Sequence, residues 1–409
     1  SAGGSAGGSF MSDMSIWDIH RSQAPLLALL APERARDVGL SLFEMTKQGG
    51  RLPRWPLANI YTGCMVGSHA IVILADFVAK GVPGIDAAEA FAVAKAAATA
   101  QDAAQRYNEL GYVPEEEDEK DAGLTLAYAF DDWATSQLAA AANASADAAD
   151  FHARSKRYAN VWSADRMLFC PRRANGTLEC PALAQNPYPT ETHYVEASAW
   201  EYQFFVPGDP TGLIALYPNV STYIARLQET FVESEKWPFG TTLPNPWYWA
   251  GNEPDLFVPW QFPFAGARYA NYTQYWTRKL LDWKYNTTAG GVPGNDDYGT
   301  MSAWETFAYL GFYPQSGSTN YIVGSPRFTQ ATVVLPAATD ADGDGDEVLL
   351  TVVAHNASAT AVYVARAEVN GKPMSAPFVQ HADLTNGGKG GGKLEFWMSE
   401  TPVEFGSWV

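Results

Sequence analysis

Residues 64–80 read CMVGSHAIVILADFVAK. Between positions 70 and 78 the single charged residue is Asp76, so a helix over this stretch has no polar face to turn toward water and must lie inside a larger helical assembly. The expectation is an inner helix over 64–80, with Cys64 at its start as a buried free thiol. The run is too short for a membrane span, which needs about 20 apolar residues. On its N-terminal side, residues 24–48 give two short amphipathic helices broken at Pro32, and GGRLPRWP at 49–56 makes a Gly/Pro loop. On its C-terminal side, residues 86–110 are Ala-rich and helical, and EEEDEKD within 114–121 is a solvated acidic connection. Residues 125–158 continue as long Ala-rich helices.

From 162 to 324 the texture changes to aromatic-rich loops joined by shorter helices at 195–206, 222–233, 255–265, 272–283 and 301–310. A helical barrel whose long loops gather aromatic and acidic residues at one rim suits a carbohydrate pocket, because rings stack on sugar faces. Beyond Pro326 the pattern becomes strand-like: ATVVLP, EVLLTVVAHN, TAVYVARAEVNGKPM and KLEFWMS, separated by Gly, Asp and Asn turns. The fold class is mainly α, organised as a flexible Gly/Ser-rich tract over 1–11, a helical domain over 12–326 and a small β module over 327–409. SAGGSAGGS at the start reads either as a linker scar or as the end left by a cut in a longer precursor.

The 409 residues include 27 basic and 45 acidic side chains, a net charge of -18 that argues against nucleic acid as a partner. With 47% hydrophobic and 18% charged residues the chain can bury a large core. Of 16 Asn residues, six open an N-x-Ser/Thr sequon: Asn143, Asn175, Asn219, Asn271, Asn286 and Asn356. Chance spacing would give roughly two, so the excess points to a secreted or lumenal glycoprotein. Cys170 and Cys180 bracket a polar turn centred on Asn175 and Gly176, which reads as a disulfide-clipped hairpin.

Four stretches concentrate chemistry. GGVPGNDDYGTMSAW at 290–304 sets Asn295, Asp296 and Asp297 between two glycines ahead of a helix, either as an N-cap loop or as a turn presenting one carboxylate to a cavity while the other serves as scaffold. WYWAGNEPDLF at 247–257 offers Asn252 and Glu253, a carbonyl oxygen and a carboxylate suited to calcium. In HYVEASAWEYQF at 193–204, Glu196 lies four residues before Trp200; on a helix they share a face, and a carboxyl beside an indole has the raised pKa of a general acid. SIWDIHR at 15–21 places Trp17 beside Asp18.

SIWDIHR, QGGRLPRWPLAN, CMVGSHA, AYAFDDW, the 196–202 segment, GNEPD, PGNDDYGTMSAW, LGFYP and YIVGSP, in this order, resemble the catalytic region of glycoside hydrolase family 92, calcium-dependent exo-α-mannosidases that invert the anomeric centre. The resemblance implies an (α/α)6 barrel with a C-terminal β segment. It assigns the general acid to Glu196, the general base to Asp297 with Asn295 in support, and the calcium ligands to Asn252 and Glu253. Trp17 and Asp18 match positions lining the terminal-sugar pocket, and Trp200 and Trp304 join them as candidate substrate contacts.

The sequence departs from the family pattern at Ala197, where glycine is usual, at Glu201, where glutamine is usual, and at Ala127, where glutamate precedes the tyrosine. The family's N-terminal β-sandwich is not in the sequence, which suggests a separate partner chain from the same precursor. Together these readings specify an inverting exo-α-mannosidase acting on terminal, α-1,2-linked mannose. The competing reading is a non-catalytic glycan-binding or structural subunit of an extracellular assembly. DADGDGDEVLLT at 340–351 spaces Asp340, Asp342, Asp344 and Gly345 like a calcium loop, but Thr351 stands where the bidentate glutamate belongs, which favours an acidic hairpin turn.

Overall fold

The computed structural model describes residues 8–100, 104–180, 192–237, 245–335, 348–388 and 391–409. The Asp340, Asp342, Asp344 and Gly345 stretch lies outside the described residues, as do the first seven residues. Helices dominate the chain up to residue 310. In order they are α1 Ile16–Ile19, α2 Gln23–Leu30, α3 Pro32–Gly49, α4 Ala70–Ala79, α5 Ala87–Ala100, α6 Ala104–Leu110, α7 Asp121–Ala141 and α8 Ser145–Arg154, followed by α9 Ala199–Tyr202, α10 Pro210–Leu216, α11 Val220–Glu235, α12 Ala270–Lys284 and α13 Thr300–Leu310. Two short hairpins interrupt them, β1 Pro56–Leu57 with β2 Ile60–Tyr61, and β3 Trp162–Ser163 with β4 Leu168–Phe169.

The all-apolar helix is α4, and every residue from Ala70 to Phe77 is buried. Its one acid, Asp76, accepts two 2.8 Å hydrogen bonds from Lys80 Nζ and one of 3.0 Å from the Gly317 N–H, so the buried charge is paired on the same helix. Pro32 opens α3 in its first turn, where a missing N–H leaves no helical bond unmade.

Four expectations are corrected. The helix begins at Ala70, not Cys64: Gly63, Met65 and Gly67 have left-handed backbone, and the Arg54 guanidinium collects the carbonyls of Gly63, Met65 and Gly67. Cys64 rides on that loop and is exposed. Helix over 195–206 shrinks to the single turn α9, because Ser198 and Glu201 form a capping box that starts the helix after Glu196. Helix over 255–265 is replaced by three 3-10 turns at Glu253–Asp255, Val258–Trp260 and Phe262–Ala265, each with a proline in its first positions.

The C-terminal part is built on sheet. β5 Phe312–Pro314, β6 Asn320–Val323 and β11 Phe378–Gln380 form an antiparallel sheet in the order β11-β6-β5. β7 Gln330–Leu335, β8 Val348–His355, β9 Tyr363–Val369, β10 Lys372–Pro373 and β12 Lys393–Ser399 form a second in the order β10-β9-β12-β8-β7, in which β12 runs parallel to β8. A short helix, α14 His381–Leu384, follows β11. Alternation buries Val348, Leu350, Val352 and Ala354 of β8 and Leu394, Phe396 and Met398 of β12 on one face. That sheet is bonded to α12: Arg278 donates to the Pro326 carbonyl at 2.7 Å and the Ser358 carbonyl at 2.9 Å, and Gln274 Oε1 accepts from the Val364 N–H at 3.1 Å. Cys170 and Cys180 form a disulfide across a turn closed by the Arg172–Leu178 bridge. Among the described residues no helix is long and apolar enough to cross a membrane.

Candidate active site

The single turn α1 carries Asp18 into the interior, with all four of its residues buried. Arg21 folds back over this turn, donating Nε to the Trp17 carbonyl at 3.1 Å, with its guanidinium 4.7 Å from the Trp17 ring centre and 5.1 Å from that of Phe205. Ser22 Oγ then donates to the Thr300 carbonyl at 2.6 Å, joining the end of the SIWDIHR segment to the start of α13. That bond brings two stretches 278 residues apart in the chain to one place.

Ahead of α13 the two adjacent aspartates diverge. Asp296 Oδ1 accepts from the Ser302 N–H at 3.0 Å and the Ser302 hydroxyl at 2.7 Å, capping the helix from the exposed side. Asp297, with a left-handed φ of 46°, turns the opposite way into the cluster formed with Asp18 and Glu253. The loop reaches this position because Gly294 lies against Gly251: a Cβ on Gly251 would stand 2.9 Å from the Pro293 backbone, and one on Gly294 would stand 3.0 Å from the Gly251 carbonyl. Only glycine at both positions lets the 247–257 and 290–299 loops touch.

Glu196 sits just outside α9 with a φ of 53°. Its loop is fastened from two sides. His193 Nδ1 lies 2.8 Å from Asp121 Oδ1 and the Gly123 N–H donates to the His193 carbonyl, both on α7. Asn252 Nδ2 donates to the Glu196 carbonyl at 3.0 Å and to Glu201 Oε1 at 2.8 Å. Glu201 in turn accepts the Ser198 N–H through Oε2 at 2.7 Å. The unusual carboxylate at 201 therefore serves as helix cap and as anchor for Asn252.

Three carboxyl groups thus face one another, with Glu196 near enough to sense them. Ligand atoms of Asp18, Glu253 and Asp297 all lie within 4.8 Å of one another, and Glu196 feels the charge of Asp297. Burial, followed by the Asp297 charge, raises Asp18 to about 7, with Arg21 opposing. Burial and a hydrogen bond to Asp297 push Glu253 well above the carboxylate range. Glu196 reaches solvent, but the walls around it and the Asp297 charge still raise its pKa, against the pull of Lys120. Behind them Asp255 is fully buried, accepts the Trp249 N–H at 2.6 Å, and is raised by burial and by Glu201.

Calcium takes carboxylate and amide oxygens, and the donors present are of that kind. Glu253 Oε1 and Asn252 Oδ1 are both buried without a hydrogen-bond partner, which fits a hard cation between the carboxylates. Asp18, expected to line the terminal-sugar pocket, and the expected base Asp297 both lie beside Glu253 in one acidic cluster.

Other expected contacts fall elsewhere. Trp200 is buried between the Arg226 guanidinium, 3.5 Å from its ring centre, and Trp247 at 4.1 Å. Trp304 is a core residue, donating Nε1 to the Leu256 carbonyl and stacked on Tyr285 at 5.3 Å, so neither indole has a face free for sugar. Trp17 is almost wholly enclosed, with the Arg21 guanidinium over its ring. Asn295 is exposed on the loop. Five sequon asparagines are exposed, but Asn271 is half-buried at the start of α12 with its Oδ1 enclosed. Sequence reading missed Arg21 as a charge partner; its place three residues after Asp18 on a helical turn was the available signal.

Residues 3–400 match the model of the glycosyl hydrolase family 92 catalytic domain. The chain is similar to the GH92 α-mannosidase BT3965 of Bacteroides thetaiotaomicron, solved with mannoimidazole: 28% identity, TM-score 0.86, covering 98% of this chain and 52% of that one. It is also similar to the GH92 inverting mannosidase BT2199 of Bacteroides thetaiotaomicron VPI-5482, at 26% identity and TM-score 0.83, covering 97% and 54%. An uncharacterized secreted glycosidase of Arthroderma benhamiae is 26% identical over 387 residues, 85% of this chain and 47% of that protein. The chain spans about half the length of these relatives.

Proposed function

The chain belongs to glycosyl hydrolase family 92, and on that premise we propose that it hydrolyses terminal α-linked mannose, of α-1,2 linkage, from glycans with inversion of the anomeric carbon. The observation that carries this reading is the convergence of Asp18, Glu196, Glu253 and Asp297 from four separate segments of chain. Glu196, whose raised pKa favours its protonated form, gives its proton to the glycosidic oxygen as the bond to mannose breaks. Asp297 takes a proton from the water that attacks the anomeric carbon from the other face, which calls for carboxyls roughly 6.5–9.5 Å apart. Glu253, Asp18 and the Asn252 carbonyl are the groups that would hold calcium. When bound, the ion supplies a template for sugar hydroxyls that favours the flattened ring of the transition state.

The same reading treats the helices of residues 12–326 as an (α/α)6 barrel and 327–409 as its β module. It takes the protein to be a secreted, glycosylated enzyme, supported by the exposed sequons and the disulfide. Exposed Phe10, Leu57 and Ile60 beside the β1–β2 hairpin are the surface on which an N-terminal β-sandwich chain would pack.

The test is proton NMR of the protein, together with any polypeptide that copurifies, incubated with α-1,2-mannobiose. Early release of β-mannose, abolished by EDTA and restored by calcium, is the expected result. Binding without release would support the glycan-binding reading, and early α-mannose would refute inversion.

A further inference from the structure

Next to Asp297 stands a residue that neither packing nor backbone preference explains. Tyr298 is 49% exposed, yet its φ is 57°, and it follows Asp297 at 46° and precedes Gly299 at 91°. Two consecutive side-chain-bearing residues held in the left-handed region are costly, and such strain concentrates where a side chain has to point in one direction. The direction here is toward Trp55, whose ring centre lies 6.4 Å from that of Tyr298 with the planes at 85°.

The backbone that carries Trp55 is held as well. Its carbonyl accepts from the Thr62 N–H at 3.1 Å and the Thr62 hydroxyl at 2.9 Å. Its neighbour Arg54 locks the facing loop through three carbonyls, at 3.0, 3.3 and 3.2 Å. Two aromatic rings at right angles make a corner one residue from the carboxylate cluster. Sugars present C–H faces that settle on rings and hydroxyls that remain in water, so a half-exposed aromatic corner beside carboxylates matches a carbohydrate better than an apolar ligand.

We propose that Trp55 and Tyr298 form the platform for the sugar to which the scissile mannose is attached, and so determine which glycans are accepted. This rests on the mannosidase reading above. The cluster at Asp297 takes the terminal residue, and the adjoining corner lies one glycosidic bond further out.

The experiment compares α-1,2-mannobiose with α-mannosyl fluoride, which has no second sugar, on the same preparation of the protein. Trp55→Ala and Tyr298→Ala are expected to lower kcat/KM for mannobiose by about tenfold or more while leaving the fluoride within about twofold; Tyr298→Phe, which keeps the ring, stays near wild type. Equal losses on both substrates, or none on either, would overturn the platform. Should the unmodified protein turn over neither substrate, the mannosidase reading fails, and calorimetric titration with mannobiose and methyl α-mannoside decides the platform separately. A preference for the disaccharide that Trp55→Ala abolishes supports it, and the lack of any preference overturns it.

Discussion

Replacing Glu253 by Gln is expected to stabilise the cation-free protein and to destabilise the calcium-loaded one. Three carboxyls whose ligand atoms lie within 4.8 Å repel by about 3.5 kcal/mol per ionised pair at an effective dielectric of about 20. The protein relieves part of this by keeping protons on Asp18 and Glu253, so neutralising Glu253 recovers only the remainder, about 1–3 kcal/mol. Calcium at about one hundred times its dissociation constant adds about 2.7 kcal/mol to a protein that binds it. Scaled by the unfolding entropy of a chain of this length, that is a rise in Tm of about 3 °C. Differential scanning calorimetry in EDTA and in calcium should therefore show the two melting curves changing order. A variant less stable in both conditions, or a wild-type Tm indifferent to calcium, would refute the reasoning. The pH dependence in EDTA has a definite sign. Asp18 keeps its proton to about 7 when folded but releases it near 3.8 when unfolded. The folded state thus binds more protons in that window, and stability falls as pH rises from about 4 through about 7.

Glu196→Gln should cut kcat on mannobiose by roughly 10²–10⁴-fold while sparing mannosyl fluoride, whose leaving group needs no proton. Because the Glu196 pKa is raised, activity falls as pH climbs through it, and the variant's stopped assay should lose that alkaline limb. Cys170→Ser with Cys180→Ser opens a link ten residues apart and should lower stability by about 3 kcal/mol in urea titrations. Peptide mass spectrometry of secreted material should find glycan on Asn143, Asn175, Asn219, Asn286 and Asn356, and bare Asn271.

What a sequence reveals depends on whether the deciding interaction is local. Helix α4 was legible because its composition leaves no solvent face, and β8 and β12 because alternation over seven or eight residues specifies a half-buried sheet. Cys64 was misjudged because apolar content says nothing about φ; the left-handed Gly67 and the pull of Arg54 make the helix start six residues late. The indoles of Trp200 and Trp304 look alike in sequence to the one at Trp55, since the face an aromatic presents is decided by the partner that covers it.

The case of Glu196 ties these points together. The helix expected over 195–206 would place its carboxyl over the Trp200 indole, and the raised pKa would then come from that ring. Yet Ser198 and Glu201 spell a capping box three residues apart, a local signal that the helix starts afterwards and leaves Glu196 free on the preceding loop. Freed, it turns through a left-handed φ and is held by the Asn252 amide, so its pKa is raised by enclosure and by Asp297 instead. The role suggested by the motif and the physical cause of that role are therefore separable. The motif depends on residues a few positions apart, whereas the cause depends on Asn252 and Asp297, 56 and 101 positions further along, which only the folded chain brings near.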